Sequence, residues 1–196
     1  MKIAAISDTH DYHSSLNIKP CDVLIHAGDA TSIGTKVQLE RFWSWLAYQP
    51  AKYKIWVPGN HDIGAEKGWR PPASTDIITL VDEGVMIDNV KFWGSPWTPE
   101  FYNWAFMLKR GPEIAAKWAL IPEDTDVLIT HGPPLGILDN GKGCVDLYNR
   151  TTQLKLKLHV FGHIHETYGR RRIGDTWFIN AAQAGRKVWQ EETFDK

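Results

Sequence analysis

Cysteine is scarce in this chain, with only Cys21 and Cys144 among 196 residues. Two thiols cannot make the disulfide framework that staples small secreted domains, so a reducing cytoplasm is the expected setting. A basic excess is also missing. Lys and Arg number 22 against 23 Asp and Glu, a net charge of −1, which removes the broad positive field that duplex nucleic acid and anionic membranes attract. Neither is an expected partner. The apolar stretches are short, and the opening residues read as a strand rather than a charged segment leading into an apolar signal core. No repeat, low-complexity tract or shift in composition marks a second domain, so residues 1–196 are expected to form one domain around one core. What the chain does have in quantity is 8 His and 10 Trp, more than a plain scaffold needs. The positions of the histidines carry the functional reading.

Short runs rich in β-branched residues recur at Lys2–Ile6, Asp22–Ile25, Tyr53–Val57, Asp126–Ile129 and Lys157–Phe161, each stopped by polar residues or Gly. They read as buried strands. Between the second and third, Thr35–Gln49 places Val37, Leu39, Phe42, Trp43 and Leu46 largely on one face at helical spacing. Further helices are expected from Pro112, whose fixed φ suits a first turn, to about Leu120, and over Val145–Leu154. Alternating strands and helices argue for an α/β layered domain. Gly84–Asp88 and Val90–Phe92 suggest a hairpin, and hence a mixed sheet. Thr176–Ile179 reads as a further strand, and Ile63–Thr75, Gly94–Glu100 and Gly132–Gly143 as loops.

Asp8 and His10 follow the first strand, Asp29 the second, Asn60 and His61 the third, His131 the fourth, and His163 and His165 the fifth. That edge of an open α/β sheet is where loops converge and ligand sites form. Carboxylate, imidazole and amide oxygen are donors suited to borderline divalent transition metals. Each piece alone has a plain alternative: Asp-x-His a surface turn, Gly28-Asp29 a helix cap or a turn. All of them, in this order and each at a strand end, point to one site assembled from five segments.

Asp8-Thr9-His10, Gly28-Asp29, Gly59-Asn60-His61-Asp62, Thr130-His131-Gly132 and Gly162-His163-Ile164-His165 resemble, in the same order, the five motifs of the calcineurin-like metallophosphoesterases. Longer segments, among them Leu24–Asp29, Ser95–Pro99, Thr130–Gly136 and His159–Glu166, resemble one subgroup, the brain-type metallophosphoesterase-domain-containing proteins and their microbial relatives. The resemblance implies a four-layer α-β-β-α sandwich with two mixed sheets. It also implies two divalent transition-metal ions, Mn²⁺ ahead of Fe or Zn, with Asp8, His10, Asp29 and His165 on the first and Asp29, Asn60, His131 and His163 on the second. A shared carboxylate and a bridging hydroxide lower the repulsion between such ions, and the hydroxide is the implied nucleophile. His61 then resembles the family's catalytic histidine, acting on the leaving oxygen, with Asp62 orienting its ring.

The implied reaction is hydrolysis of a small phosphate ester, with small, cyclic-nucleotide phosphodiesters the first candidates. A phosphomonoesterase or protein phosphatase on the same centre is the rival enzyme reading, and a metal-binding scaffold without catalysis the non-enzyme one. A nuclease fits poorly, because the chain is short and nearly neutral. Of the remaining histidines, His26 and His159 read as hydrogen-bonded core residues and His13 as exposed. The aromatic segment Trp93–Phe106 reads equally as a packed loop and as a stacking wall for a nucleobase. Gly132–Gly136 could lend backbone N–H groups to that pocket. Arg70, Arg110 and Arg170–Arg172 read as solvated charge. The sequence does not place Asn180.

Overall fold

The computed structural model describes residues 1–71, 77–184 and 190–193. Residues 72–75 of the expected loop at 63–75 lie outside them. In chain order the elements are β1 (Lys2–Ile6), β2 (Cys21–His26), α1 (Lys36–Ala47), β3 (Ala51–Trp56), α2 (Ile63–Glu66), β4 (Ile77–Thr79), β5 (Glu83–Ile87), β6 (Val90–Ser95), β7 (Thr98–Pro99), β8 (Met107–Leu108), α3 (Pro112–Trp118), β9 (Val127–Thr130), α4 (Val145–Thr151), β10 (Leu158–Phe161), β11 (Gly169–Ile173), β12 (Thr176–Asn180) and β13 (Gln190–Thr193). The five expected buried strands are present, as are the hairpin and the three helices, each within a few residues of its expected ends. The loop expected from Ile63 instead begins with the single turn of α2.

One sheet runs β13-β1-β2-β3-β4 and a second runs β11-β12-β10-β9-β6-β5. Strands β1 to β4 are mutually parallel, as are β12, β10, β9 and β6, while β13, β11 and β5 pair antiparallel at the edges. Both sheets are therefore mixed. Strand alternation explains the apolar runs. Ile3 and Ala5 of β1 join Ile25, Ile55, Phe92, Val127, Ile129 and Val160 in the core between the sheets. Ala4 and Ile6 point the other way, where Leu39, Phe42, Trp43 and Leu46 of α1 cover them. Leu128 of β9 likewise meets Ile114 and Trp118 of α3 and Leu147 of α4. Strands covered on both faces need apolar side chains at nearly every position.

Helix α1 starts where Thr35 closes a capping box: its Oγ1 accepts the Gln38 N–H (3.3 Å) while Gln38 Oε1 accepts the Thr35 N–H (3.1 Å). Phe42 is fully buried with its ring 5.7 Å from that of Trp56. Truncating Phe42 to Ala would cost about 3–5 kcal/mol. Because parallel strands all run the same way, the chain leaves β1, β2, β3, β9 and β10 at one rim. Among the described residues no helix is long and apolar enough to cross a membrane.

Candidate metal centre

At that rim the structure brings together every residue the sequence singles out as a ligand. Asp8, His10 and His165 form one group whose donor atoms all lie within 4.8 Å of one another. Asp29, His131 and His163 form a second, and Asp29 also groups with His10 and His61. Asn60 completes the second group, its Oδ1 lying 2.9 Å from His131 Nε2. Asp29 stands between the groups, its Oδ1 3.4 Å from His131 Nε2 and its Oδ2 3.9 Å from His10 Nε2.

The chain strains itself to gather these donors. Asp8, His10, Asp29 and His163 all take left-handed backbone angles, φ 54°, 40°, 53° and 67°. Each such residue costs roughly 1–3 kcal/mol unless its surroundings hold it. The surroundings do: Asp8 donates its N–H to Gly28 O (2.8 Å), and Asp8 Oδ2 accepts the His163 N–H (2.9 Å). The motif glycines make room. A Cβ on Gly59 would sit 2.3 Å from Asp29 Oδ1, and one on Gly162 would sit 2.1 Å from Asp8 Oδ2. Each glycine directly precedes a ligand residue in sequence, which is the signal by which they can be found.

The electrostatics fit a cation. Burial works against charge on Asp29 and Asp8, yet both are held below the usual carboxylate range: His131, His61 and His10 hold Asp29 down, and His165 and His131 hold Asp8 down. Burial also opposes protonation of His131, but Asp29 and Asp8 outweigh it and hold the ring up to about 9. Two buried anions thus demand positive charge at one point. His163, pushed down to about 4 by burial and then by His131, and His10, lowered mainly by burial, keep neutral rings with lone pairs to offer. His10 Nε2 and His165 Nε2 face each other at 3.4 Å. Oxygen and imidazole donors in two groups sharing a carboxylate are the set a pair of divalent ions would take.

His61 lies beside this set with 28% of its side chain exposed, its Nε2 4.0 Å from Asp29 Oδ2. Its ring is held by two groups. Nδ1 donates to Ser32 O (2.7 Å), and the Trp104 ring packs against it at 4.2 Å and 33°. The expectation that Asp62 orients the His61 ring is therefore corrected. The Asp62 carboxylate is fully buried and accepts from Ala30 N, Thr31 N, Thr31 Oγ1 and Gly59 N. It ties the second motif to the third instead. Burial, then Asp29, raises its pKa to about 6. The Ser32 carbonyl escapes a reading of side chains because a backbone group has no residue signature.

Other expectations divide. His13 is buried, not exposed, since the single turn at His13–Ser15 folds its ring against Phe42 and Trp45. His26 and His159 are buried beside Thr9 Oγ1 (2.9 Å) and Thr130 Oγ1 (2.8 Å), each threonine preceding a ligand histidine. Asn180 braces the last motif, its Nδ2 donating to Ile164 O (2.8 Å) and Leu138 O (3.1 Å). The aromatic segment splits: Trp93 and Trp97 pack inward, Trp104 meets His61, and Phe101 and Tyr102 stand exposed. Leu135 and Gly136 do not offer free N–H groups, because Cys144 O and Asp139 Oδ2 take them. Next to His163 opens a cavity of about 420 Å³, lined in part by Phe101, Arg110, Gly132, Pro133 and Ile164.

Two mixed sheets stand back to back, with imidazoles and carboxylates converging at one rim in groups that could hold metal ions. Residues 1–194 match the calcineurin-like phosphoesterase superfamily domain, and the chain belongs to that family. It is 39% identical to metallophosphoesterase domain-containing protein 1 of Homo sapiens, over 92% of this chain and 65% of that protein. The chain thus spans just under two thirds of that relative. A 3′,5′-cyclic-nucleotide phosphodiesterase of Nostoc sp. is 25% identical over 77% of this chain and 58% of its own length. Among solved structures, TT1561 of Thermus thermophilus shares the fold, with a TM-score of 0.67 over 97% of both chains at 14% identity.

Proposed function

We propose that the chain is a dinuclear phosphodiesterase acting on small nucleotide-type diesters. The observation that carries this reading is the pair of donor groups meeting at Asp29. Asp8, His10, Asp29 and His165 would hold one divalent ion and Asp29, Asn60, His131 and His163 the other, Mn²⁺ being the first candidate. Bound there, such ions supply an activated water near neutral pH and neutralise charge on the phosphoryl oxygens.

The chain's own residues supply the rest. With Nδ1–H committed to a carbonyl, His61 turns Nε2 toward Asp29 and the site. A proton on Nε2 is placed to pass to the leaving oxygen, as expected of a general acid. That acid is the doubly protonated ring, and the Ser32 bond and the Trp104 face keep it from turning away. The ligands sit on loops leaving the strand ends, and backbone bonds such as Asp8 N–H to Gly28 O and His163 N–H to Asp8 Oδ2 hold those loops, which limits the reorganisation left for the reaction. The cavity beside His163 gives a second ester arm somewhere to lie, which favours diesters over monoesters. The Nostoc relative, named for cyclic nucleotides, makes that substrate class the first to try.

A panel of cyclic nucleotides, linear dinucleotides and monoesters, assayed after stripping metal and adding Mn²⁺, tests this. Diesters should lead by kcat/KM. Monoesters leading by more than tenfold would overturn the diesterase reading, and no metal-dependent turnover on any ester would remove the enzyme.

A further inference from the structure

We infer that the cavity beside His163 binds a second anionic group, carried on the arm of the substrate that stays attached to phosphorus, with Arg110 as its anchor. The inference rests on the diesterase reading above and adds the substrate class: a diester whose retained arm is a nucleoside bearing another phosphate.

Position comes first. His61, which serves the leaving oxygen, groups with His10 and Asp29, whereas the cavity opens at His163, grouped with His131 and Asp29. The loop joining β7 to β8 reaches both, Trp104 lying on His61 and Phe101 lining the cavity. In an in-line displacement the retained arm lies to the side of the line joining attacking and leaving oxygens, so it does not compete with the leaving group for His61 and can enter the cavity at His163. A volume of about 420 Å³ suits a nucleoside, and Phe101, Pro133 and Ile164 offer apolar faces for its rings.

Charge decides what that arm carries. Arg110 Nη1 and Nη2 donate to Gly143 O (2.8 Å) and Lys142 O (3.1 Å), which fixes the guanidinium against the cavity wall. Among the described residues two of its five N–H donors find protein acceptors, leaving three for a ligand. None of the ion pairs among the described residues includes Arg110. Lys142 also lines the cavity, and its carboxylate partner Glu166 (3.5 Å) stands 62% exposed, where water screens the pair. Among the described lining residues Glu100 is the single carboxylate, and it pairs with neither cation. A held fork with donors to spare is the arrangement that grips phosphate.

Two esters with the same leaving group test the inference: the nitrophenyl ester of thymidine 5′-phosphate, and the same ester carrying a 3′-phosphate. Wild type should favour the second by about tenfold or more in kcat/KM, through KM, the order expected of a charged hydrogen bond. Arg110→Met should collapse that ratio toward one. Lys142→Met, which leaves the Arg110 carbonyl bonds in place, should lower it by a smaller factor and serves if Arg110→Met does not fold. A wild-type ratio near one, or a ratio kept in both variants, overturns the inference. Calorimetric titration with thymidine 3′,5′-bisphosphate and thymidine 5′-monophosphate separates this from the activity reading. If neither ester turns over, the diesterase reading falls. The cavity assignment then stands only if wild type binds the bisphosphate about tenfold more tightly and the variants lose that preference.

Discussion

His61 carries the sharpest residue-scale consequence, because it sits among metal donors while its ring is anchored to Ser32 O and Trp104. His61→Gln should leave metal content near wild type and lower kcat by about 10²–10⁴. The loss should be smaller on a nitrophenolate leaving group, which needs little protonation, than on a ribose or alkyl one. Equal losses would make His61 a phosphate-positioning group, and loss of metal would make it a ligand. Asp62 gives the contrasting case. Its carboxylate satisfies four buried donors, so Asp62→Ala strands them and should destabilise the metal-stripped protein by about 3 kcal/mol or more, read by urea denaturation. A stability change under 1 kcal/mol would show that the tie between the second and third motifs is not structural.

At the scale of elements, the site depends on how closely the loops leaving β1, β2, β3, β9 and β10 pass one another. Gly162 is the tightest point after β10. Gly162→Ala would place its methyl against Asp8 Oδ2 and Ser7, so the first donor group must open, and metal affinity should fall by about tenfold or more. Normal affinity in that variant, measured by competition with a chelator, would mean that the loops have slack. The strands that carry this arrangement are legible in the sequence because both their faces are covered and their residues run apolar. β11 is not, since three consecutive arginines in Gly169–Ile173 read as solvated charge although the backbone pairs with β12. β13, Gln190–Thr193, is entirely polar and pairs with β1 through backbone groups that leave no trace in side-chain pattern. His13 misleads for a related reason: a polar residue in a short polar stretch gives no sign that one turn will press it onto α1. The ligands, by contrast, are readable as a set, because five separate motifs fall at five strand ends.

For the whole molecule, buried neutral histidines link stability to pH. Burial pushes His26 and His159 down to about 3 in the folded protein, against roughly 6.5 in an unfolded chain. Between those values the unfolded chain binds the proton and the folded one does not, so stability is full above about pH 6.5 and falls as the pH drops toward 3. At pH 5 each histidine should cost about 2 kcal/mol. Urea titrations of the metal-stripped protein at pH 7.5 and 5.0 should show the loss, and His159→Gln should shrink it. An undiminished loss in that variant would place the effect elsewhere.

One chain should gather two divalent ions around Asp29 and turn over only with both. Elemental analysis of fully active protein, paired with the Asp29→Ala variant, addresses it most directly. Wild type should hold two ions per chain and lose turnover when a chelator removes them, and Asp29→Ala should lose both ions and activity. Full activity with one ion or none, or an Asp29→Ala protein that keeps both ions and normal turnover, would contradict it.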